Sequence, residues 1–227
     1  KRKYGFRRAF TFRPHLLKGM LSISGWTMVQ SFISVSIWFI FFLAIEHLGE
    51  RPLAVTNIVR NISALLIMVI SAFATTAGAL ISNQIGAGEQ RYLFRTCGMT
   101  LNLTYAILVP LLVILCLFPE PVLRVFTDNP SLIAASINSV YVMSTSTLIM
   151  APAFILFNAV SGTGNTKAGF IMEMISLTVY TAAVYYIVIR LKPDVALCWF
   201  SEHVYGIALI ALAWWYLKSG KWRGKKV

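Results

Sequence analysis

Six apolar stretches, each long enough to cross a lipid bilayer, occupy most of this 227-residue chain. They read Met20–Ile45, Leu53–Ser82, Gly98–Phe118, Ile133–Val160, Phe170–Ile189 and Val195–Leu217. An α-helix needs roughly 20 residues to cross the hydrocarbon core. One water-soluble core cannot hide six such runs, so the chain reads as an all-α polytopic membrane protein. The expected architecture is a six-transmembrane-helix bundle over residues 19–217. Composition agrees, with 58% hydrophobic and 12% charged residues, far from the balance of water-soluble domains.

The net charge of +12 raises the question of nucleic-acid binding, and its placement answers it. Before the first span stand Lys1, Arg2, Lys3, Arg7, Arg8, Arg13 and Lys18. Arg91 and Arg95 follow span two, Lys167 follows span four, and Lys218, Lys221, Arg223, Lys225 and Lys226 follow span six. The opposite ends hold most of the acids: Glu46, Glu50, Glu120, Asp128, Asp194 and Glu202. Basic loops stay in the cytoplasm. The charge is therefore a topology signal. It places both termini inside a cell (cytoplasmic) membrane, makes the lipid bilayer a partner and argues against nucleic acid.

Residues 1–18 interleave Tyr4, Phe6, Phe10 and Phe12 with basic side chains, as expected of an interfacial linker that touches anionic lipid. Residues 218–227 read as a basic cytoplasmic tail. Span six is interrupted by Glu202 and His203, so its start reads as an interfacial segment bearing Trp199. Cys97, Cys116 and Cys198 show no metal or disulfide spacing, and His15, His47 and His203 are scattered. No nucleophile elbow, zinc pairing or phosphate loop is present. The chain is expected to be neither an enzyme nor a metal or cofactor protein.

Three connections carry chemistry of their own. Span two ends in Ser82-Asn83-Gln84-Ile85-Gly86-Ala87-Gly88-Glu89, and span four in Ser161-Gly162-Thr163-Gly164-Asn165-Thr166-Lys167. Both glycine pairs suit helix C-caps that need left-handed backbone, followed by tight turns. On the other side, Phe126-Thr127-Asp128-Asn129-Pro130 offers Asn129 as N-cap with Pro130 at the first helical position.

These three segments, in this order on a six-span chain, resemble the multidrug and toxic compound extrusion (MATE) transporters. Ala77–Gly88 is similar to the family's small-residue span ending in a Gly-x-Gly turn. Phe126–Pro130 falls where the family shows a Phe-Thr-x-Asp-like turn, and Gly162–Lys167 is similar to its Gly-x-Gly-Asp-Thr-Lys-like turn. The resemblance implies one lobe, the C-terminal one, of a twelve-helix pseudo-twofold transporter. It also implies an N-terminal six-helix lobe of the same polypeptide as partner. The implied function is export of organic, often cationic small-molecule substrates by proton- or sodium-coupled antiport, with alternating access between the lobes. A lipid-linked saccharide flippase of the same superfamily and a non-transporting membrane scaffold are the alternatives. Many family members carry an acid in the first span of this lobe; here Gln30–Ser36 has none, and Asn165 replaces a common Asp. The resemblance thus points to no cofactor beyond a coupling H+ or Na+, bound in the other lobe.

Ionisable and amide side chains at membrane depth are costly and mark functional sites by default. Gln30 and Ser34 stand four residues apart on one face of span one. Asn57, Arg60 and Asn61 form a polar patch in span two, with Glu46 or Glu50 as possible partners of the arginine. Asn158 closes a run of hydroxyls in span four. Glu173 lies a short way into span five, as a cavity carboxylate or as a helix N-terminal acid paired with Lys167. Gln30, Ser34, Asn57, Arg60, Asn61, Asn158 and Glu173 are the expected cavity residues, and Gly86, Gly88, Gly162 and Gly164 the structural turns. Met143, Met150, Phe157 and Tyr180 could line a cavity through adaptable packing and cation–π contact.

Overall fold

The computed structural model describes the backbone of residues 14–220 and of Trp222, and side chains from Met28 onward. Most of the expected linker 1–18 and of the tail 218–227 lies outside the described residues. In lipid, backbone polar groups must be satisfied inside the segment, which leaves helices as the means of crossing. The chain forms α1 (Pro14–Glu46), α2 (Glu50–Gly86), α3 (Leu93–Leu117), α4 (Pro119–Arg124), α5 (Pro130–Gly162), α6 (Thr166–Val184), α7 (Val195–Cys198) and α8 (Phe200–Ser219). A single 3₁₀ turn, Gln90–Tyr92, leads into α3, and α6 continues as a π-helical segment, Tyr185–Leu191.

Six of these helical units are long and apolar enough to span a membrane. They fall in the order of the six apolar stretches, so the expected six-helix bundle is observed. The helices overrun the apolar stretches: α2 has 37 residues and α5 has 33. Helix α4 and the π-helical segment are absent from the sequence expectation, whereas the break at Trp199 falls where the start of span six reads as a separate segment. Each follows a local cause. Pro119 starts α4, Pro193 and the left-handed Lys192 (φ 47°) end the π segment, and Asp194 caps α7 through its contact with Val195 N.

Helix α5 is the centre of the bundle: 56% of its most apolar window is buried, against 17–44% for the other spans. It packs on α2, α3 and α8. Lipid tails are as apolar as leucine, so close approach between small residues does much of the work of helix association. Gly78 of α2 and Gly162 of α5 meet through bare backbone; a Cβ on Gly162 would lie 2.5 Å from the Gly78 carbonyl oxygen. Gly206 of α8 instead makes room for a side chain of α5, with 2.9 Å between a hypothetical Cβ and Ile149 Cγ2. At the far end of the α2–α5 seam, Arg51 Nη2 donates to Ser131 Oγ at 2.9 Å. The two helices run side by side in parallel along their length.

Both glycine turns lie at one end of the bundle, and within each pair the two residues play different parts. Gly88 and Gly164 both have φ 78°, the left-handed conformation expected of the turns. Gly86 and Gly162 are instead the last residues of α2 and α5. Gly162 is there for close packing, whereas a Cβ on Gly86 would meet nothing within 4 Å. Asn165 then caps α6 by accepting from Ala168 N and ties the turn to α8 through Tyr216 Oη at 2.7 Å. At the opposite end, Asn129 Oδ1 accepts from Ser131 N with Pro130 in the first turn, as the sequence indicated.

Candidate functional site

A cavity of about 430 Å³ is bounded by α1, α2, α5, α6 and α8. Its walls are aromatic and apolar: Trp38, Phe39 and Phe42 from α1, Met150 and Phe154 from α5, and Tyr180 and Tyr205 from α6 and α8. Three charged residues, Arg60, Glu173 and Glu202, reach it. Spacing explains why one helix delivers several of these groups. Glu173, Leu177 and Tyr180 recur at i, i+4 and i+7 on α6, Glu202 and Tyr205 at i and i+3 on α8, and Ser34 and Trp38 at i and i+4 on α1. Such spacings share a helix face.

The two carboxylates are almost fully buried, Glu173 4% and Glu202 7% exposed. An isolated buried charge is prohibitively costly, and hydroxyl donors reduce the cost here. Glu173 Oε1 accepts from Ser34 Oγ at 2.9 Å and from Tyr205 Oη at 3.0 Å, with Oε2 3.2 Å from the same phenol. Glu202 Oε1 accepts from Tyr180 Oη at 3.0 Å. The rings of Tyr180 and Tyr205 meet edge to face with centroids 5.9 Å apart. The two acids therefore form one array spanning α1, α6 and α8. The Arg60 guanidinium, lining the same cavity, lies 5.0 Å from the Phe42 ring centroid, and Phe42 in turn packs against Trp38 at 5.4 Å.

Of the residues expected at a cavity, Ser34, Arg60 and Glu173 come together in this one. Gln30 is partly buried and engages Ser34 only through its backbone carbonyl, 3.0 Å from Ser34 Oγ. Asn57 donates to Leu53 O of its own helix at 3.1 Å, and Asn61 is exposed. Asn158 donates to Phe154 O at 2.9 Å and packs its backbone on Gly78. The partner of Arg60 is an aromatic ring rather than Glu46 or Glu50, both of which are exposed. Glu173 pairs with hydroxyls rather than Lys167, which is exposed. Met150 and Tyr180 line the cavity, while Met143 is buried in the core between α2, α3 and α5.

Two residues of the array escaped sequence reading. Glu202 read as part of an interfacial segment, yet it lines the same cavity as Glu173, itself an expected cavity residue. Tyr205 was not singled out at all. The signal was available in the i, i+3 pairing of Glu202 with Tyr205 and the i, i+7 pairing of Glu173 with Tyr180, polar groups on one face of apolar helices.

Comparison with known proteins agrees with this architecture. A family model described as MatE matches residues 27–187. "Probable multidrug resistance protein NorM" of Thermotoga maritima is 24% identical over 213 residues, covering 92% of this chain and 46% of that protein. The Vibrio cholerae MATE transporter VcmN in the bent form superposes with a TM-score of 0.82 at 16% identity, over 92% of this chain and 48% of VcmN. A MOP superfamily transporter from Pyrococcus furiosus superposes with a TM-score of 0.77 at 12% identity, over 88% of this chain and 44% of that one. The chain thus spans about half the length of the relatives it matches. With the family model covering well over half of its residues, this multi-pass membrane chain belongs to the MatE family.

Proposed function

We propose that the chain is one lobe of a secondary transporter that exports organic, often cationic compounds by antiport against H+ or Na+. The observation that carries this reading is the pair of buried carboxylates, Glu173 and Glu202, in an aromatic-walled cavity at membrane depth. Acids inside a span mark ion and substrate pathways, and aromatic faces attract lipophilic cations. The proposed partner is a second six-helix lobe of the same polypeptide. The shallow depression along α2 at Ser71, Ala72, Thr75, Thr76, Ala79 and Asn83, flanked by the exposed Met68 and Leu80, supports this, because its small side chains would let another helix approach closely. Both chain ends are proposed to face the cytoplasm, from the distribution of basic residues.

Antiport requires that cation and proton compete for one group, and the surroundings of Glu173 suit both occupancies. As a carboxylate it accepts from Ser34 and Tyr205. When protonated, its own O–H can be donated to Ser34 Oγ while the serine hydroxyl turns to the Gln30 carbonyl, 3.0 Å away. Neither state strands a polar atom. A proton arriving at Glu173 removes the charge that holds a cationic substrate, and the substrate leaves. This moves the proposed coupling acid from the other lobe, where the acid-free Gln30–Ser36 stretch had pointed, into this one.

The test is efflux of a fluorescent organic cation from cells producing the full-length protein, with external pH and sodium varied separately. Glu173→Gln and Glu202→Gln are expected to abolish the response to whichever ion drives export. Ion-dependent efflux that is unchanged in both variants overturns the reading.

A further inference from the structure

We propose that Arg60 is an anion-reading group, and that the cavity takes zwitterionic aromatic compounds in preference to simple cations. The inference rests on the exporter reading above and names its substrate class.

Arg60 is part of the same cavity wall that Glu173 and Glu202 reach, yet neither acid takes a hydrogen bond from it. Their carboxylate oxygens accept from Ser34, Tyr205 and Tyr180. Among the described residues Arg60 forms no ion pair; its recorded contact is the face of Phe42. Among the described residues the Arg60 guanidinium donates no hydrogen bond, so its N–H donors are available to a ligand. The fork of donors matches a carboxylate in a bidentate fashion. Trp38, packed on Phe42, backs the ring that holds the guanidinium, so the fork is supported by two aromatic side chains.

For a simple cation this arrangement is unfavourable. The arginine repels it in a low-dielectric site, and the arginine's own charge stays uncompensated. A ligand that brings a carboxylate solves both problems. Its cationic part lies toward Glu173 and Glu202, its carboxylate toward Arg60, and its flat body against Phe154, Tyr180 and Tyr205. The cavity volume of about 430 Å³ falls in the range of sites that hold drug-sized molecules.

Rhodamine 110 and rhodamine 123 share one xanthylium cation and differ by a single methyl ester: the first is a zwitterion, the second a cation. Both can be followed by fluorescence. The full-length protein reconstituted in liposomes is expected to transport the free acid about tenfold more efficiently than the ester, the effect of one charge-assisted pair. Arg60→Gln should bring the ratio of the two rates to about one, whatever it does to the absolute rates, and Arg60→Lys should retain part of the preference. Equilibrium binding of both dyes to the purified wild-type protein, read by fluorescence anisotropy, asks the same question without a variant. Equal or tighter binding of the ester overturns the proposal, as does an unchanged transport ratio in Arg60→Gln. Transport of the ester with no preference for the acid overturns the role of Arg60 alone and leaves the exporter reading standing. Transport of neither dye overturns both.

Discussion

The phenol of Tyr205 lies 3.0 Å from one carboxylate oxygen of Glu173 and 3.2 Å from the other, joining α8 to α6 at membrane depth. Hydrogen bonds to a charged acceptor contribute about 1.5–3 kcal/mol. Tyr205→Phe keeps the ring and removes the donor, so it should destabilise the full-length protein by an amount in that range. In a Glu173→Gln background the same change should cost about 1 kcal/mol, the value for a neutral pair. A double-mutant cycle on thermal unfolding in detergent checks this, and a coupling near zero would refute it.

The Gly78–Gly162 crossing sets a second expectation. A methyl group on Gly162 would sit 2.5 Å from backbone oxygen, which no rotamer change can relieve. Gly162→Ala should lower stability by at least the 1–3 kcal/mol typical of overpacking. Gly86→Ala, with open space around it and a helical backbone, should be neutral or stabilising by up to roughly 1 kcal/mol. Comparing the unfolding temperatures of the two variants separates packing from turn chemistry within one motif.

Gly88 and Gly164 should behave alike, since both hold φ 78°. Alanine in left-handed backbone costs about 1–2 kcal/mol, whereas asparagine tolerates it. The expected order of unfolding temperature at either site is Gly, then Asn, then Ala.

Asn165 combines a cap on α6 with a hydrogen bond to Tyr216. Asn165→Ala should cost about 1 kcal/mol for the cap and about another for the lost partner. Asn165→Asp keeps the cap, and the Tyr216 hydroxyl can reverse and donate to it. That variant should unfold within roughly 0.5 kcal/mol of wild type, a range ordinary for tolerated surface changes.

The proposed orientation is open to a chemical test. Single cysteines placed at Glu89 and Lys167, both exposed in the turns of the glycine end, should react with a membrane-impermeant maleimide only after cells are permeabilised. One at Asp128, exposed at the other end, should react in intact cells. The reverse pattern inverts the topology.

Helix number and order were legible in the sequence because bilayer thickness imposes a length on each span, and that length survives any detail of packing. The cap at Asn129 and the left-handed turns were legible for a similar reason, being local. The cavity was less so. Asn57 and Asn158 looked costly to bury, but each satisfies its amide on a carbonyl four residues back, a solution that needs no neighbour and leaves no trace in residue type. Glu202 was hidden by the opposite effect: its partner Tyr180 lies 22 positions away on another helix. Only tertiary packing reveals that pairing. The division of labour within each glycine pair was likewise invisible, since the role of Gly162 depends on Gly78 across the seam.

That seam has a mechanical consequence. Side chains between helices act as cushions that change rotamer and absorb displacement, and at Gly78–Gly162 there are none. Peptide planes bear directly on one another, so a push on either helix near the glycine turns reaches the other without slack. Near the glycine turns α2 and α5 therefore move as one body, and any relative displacement of the two helices must be taken up elsewhere along their length.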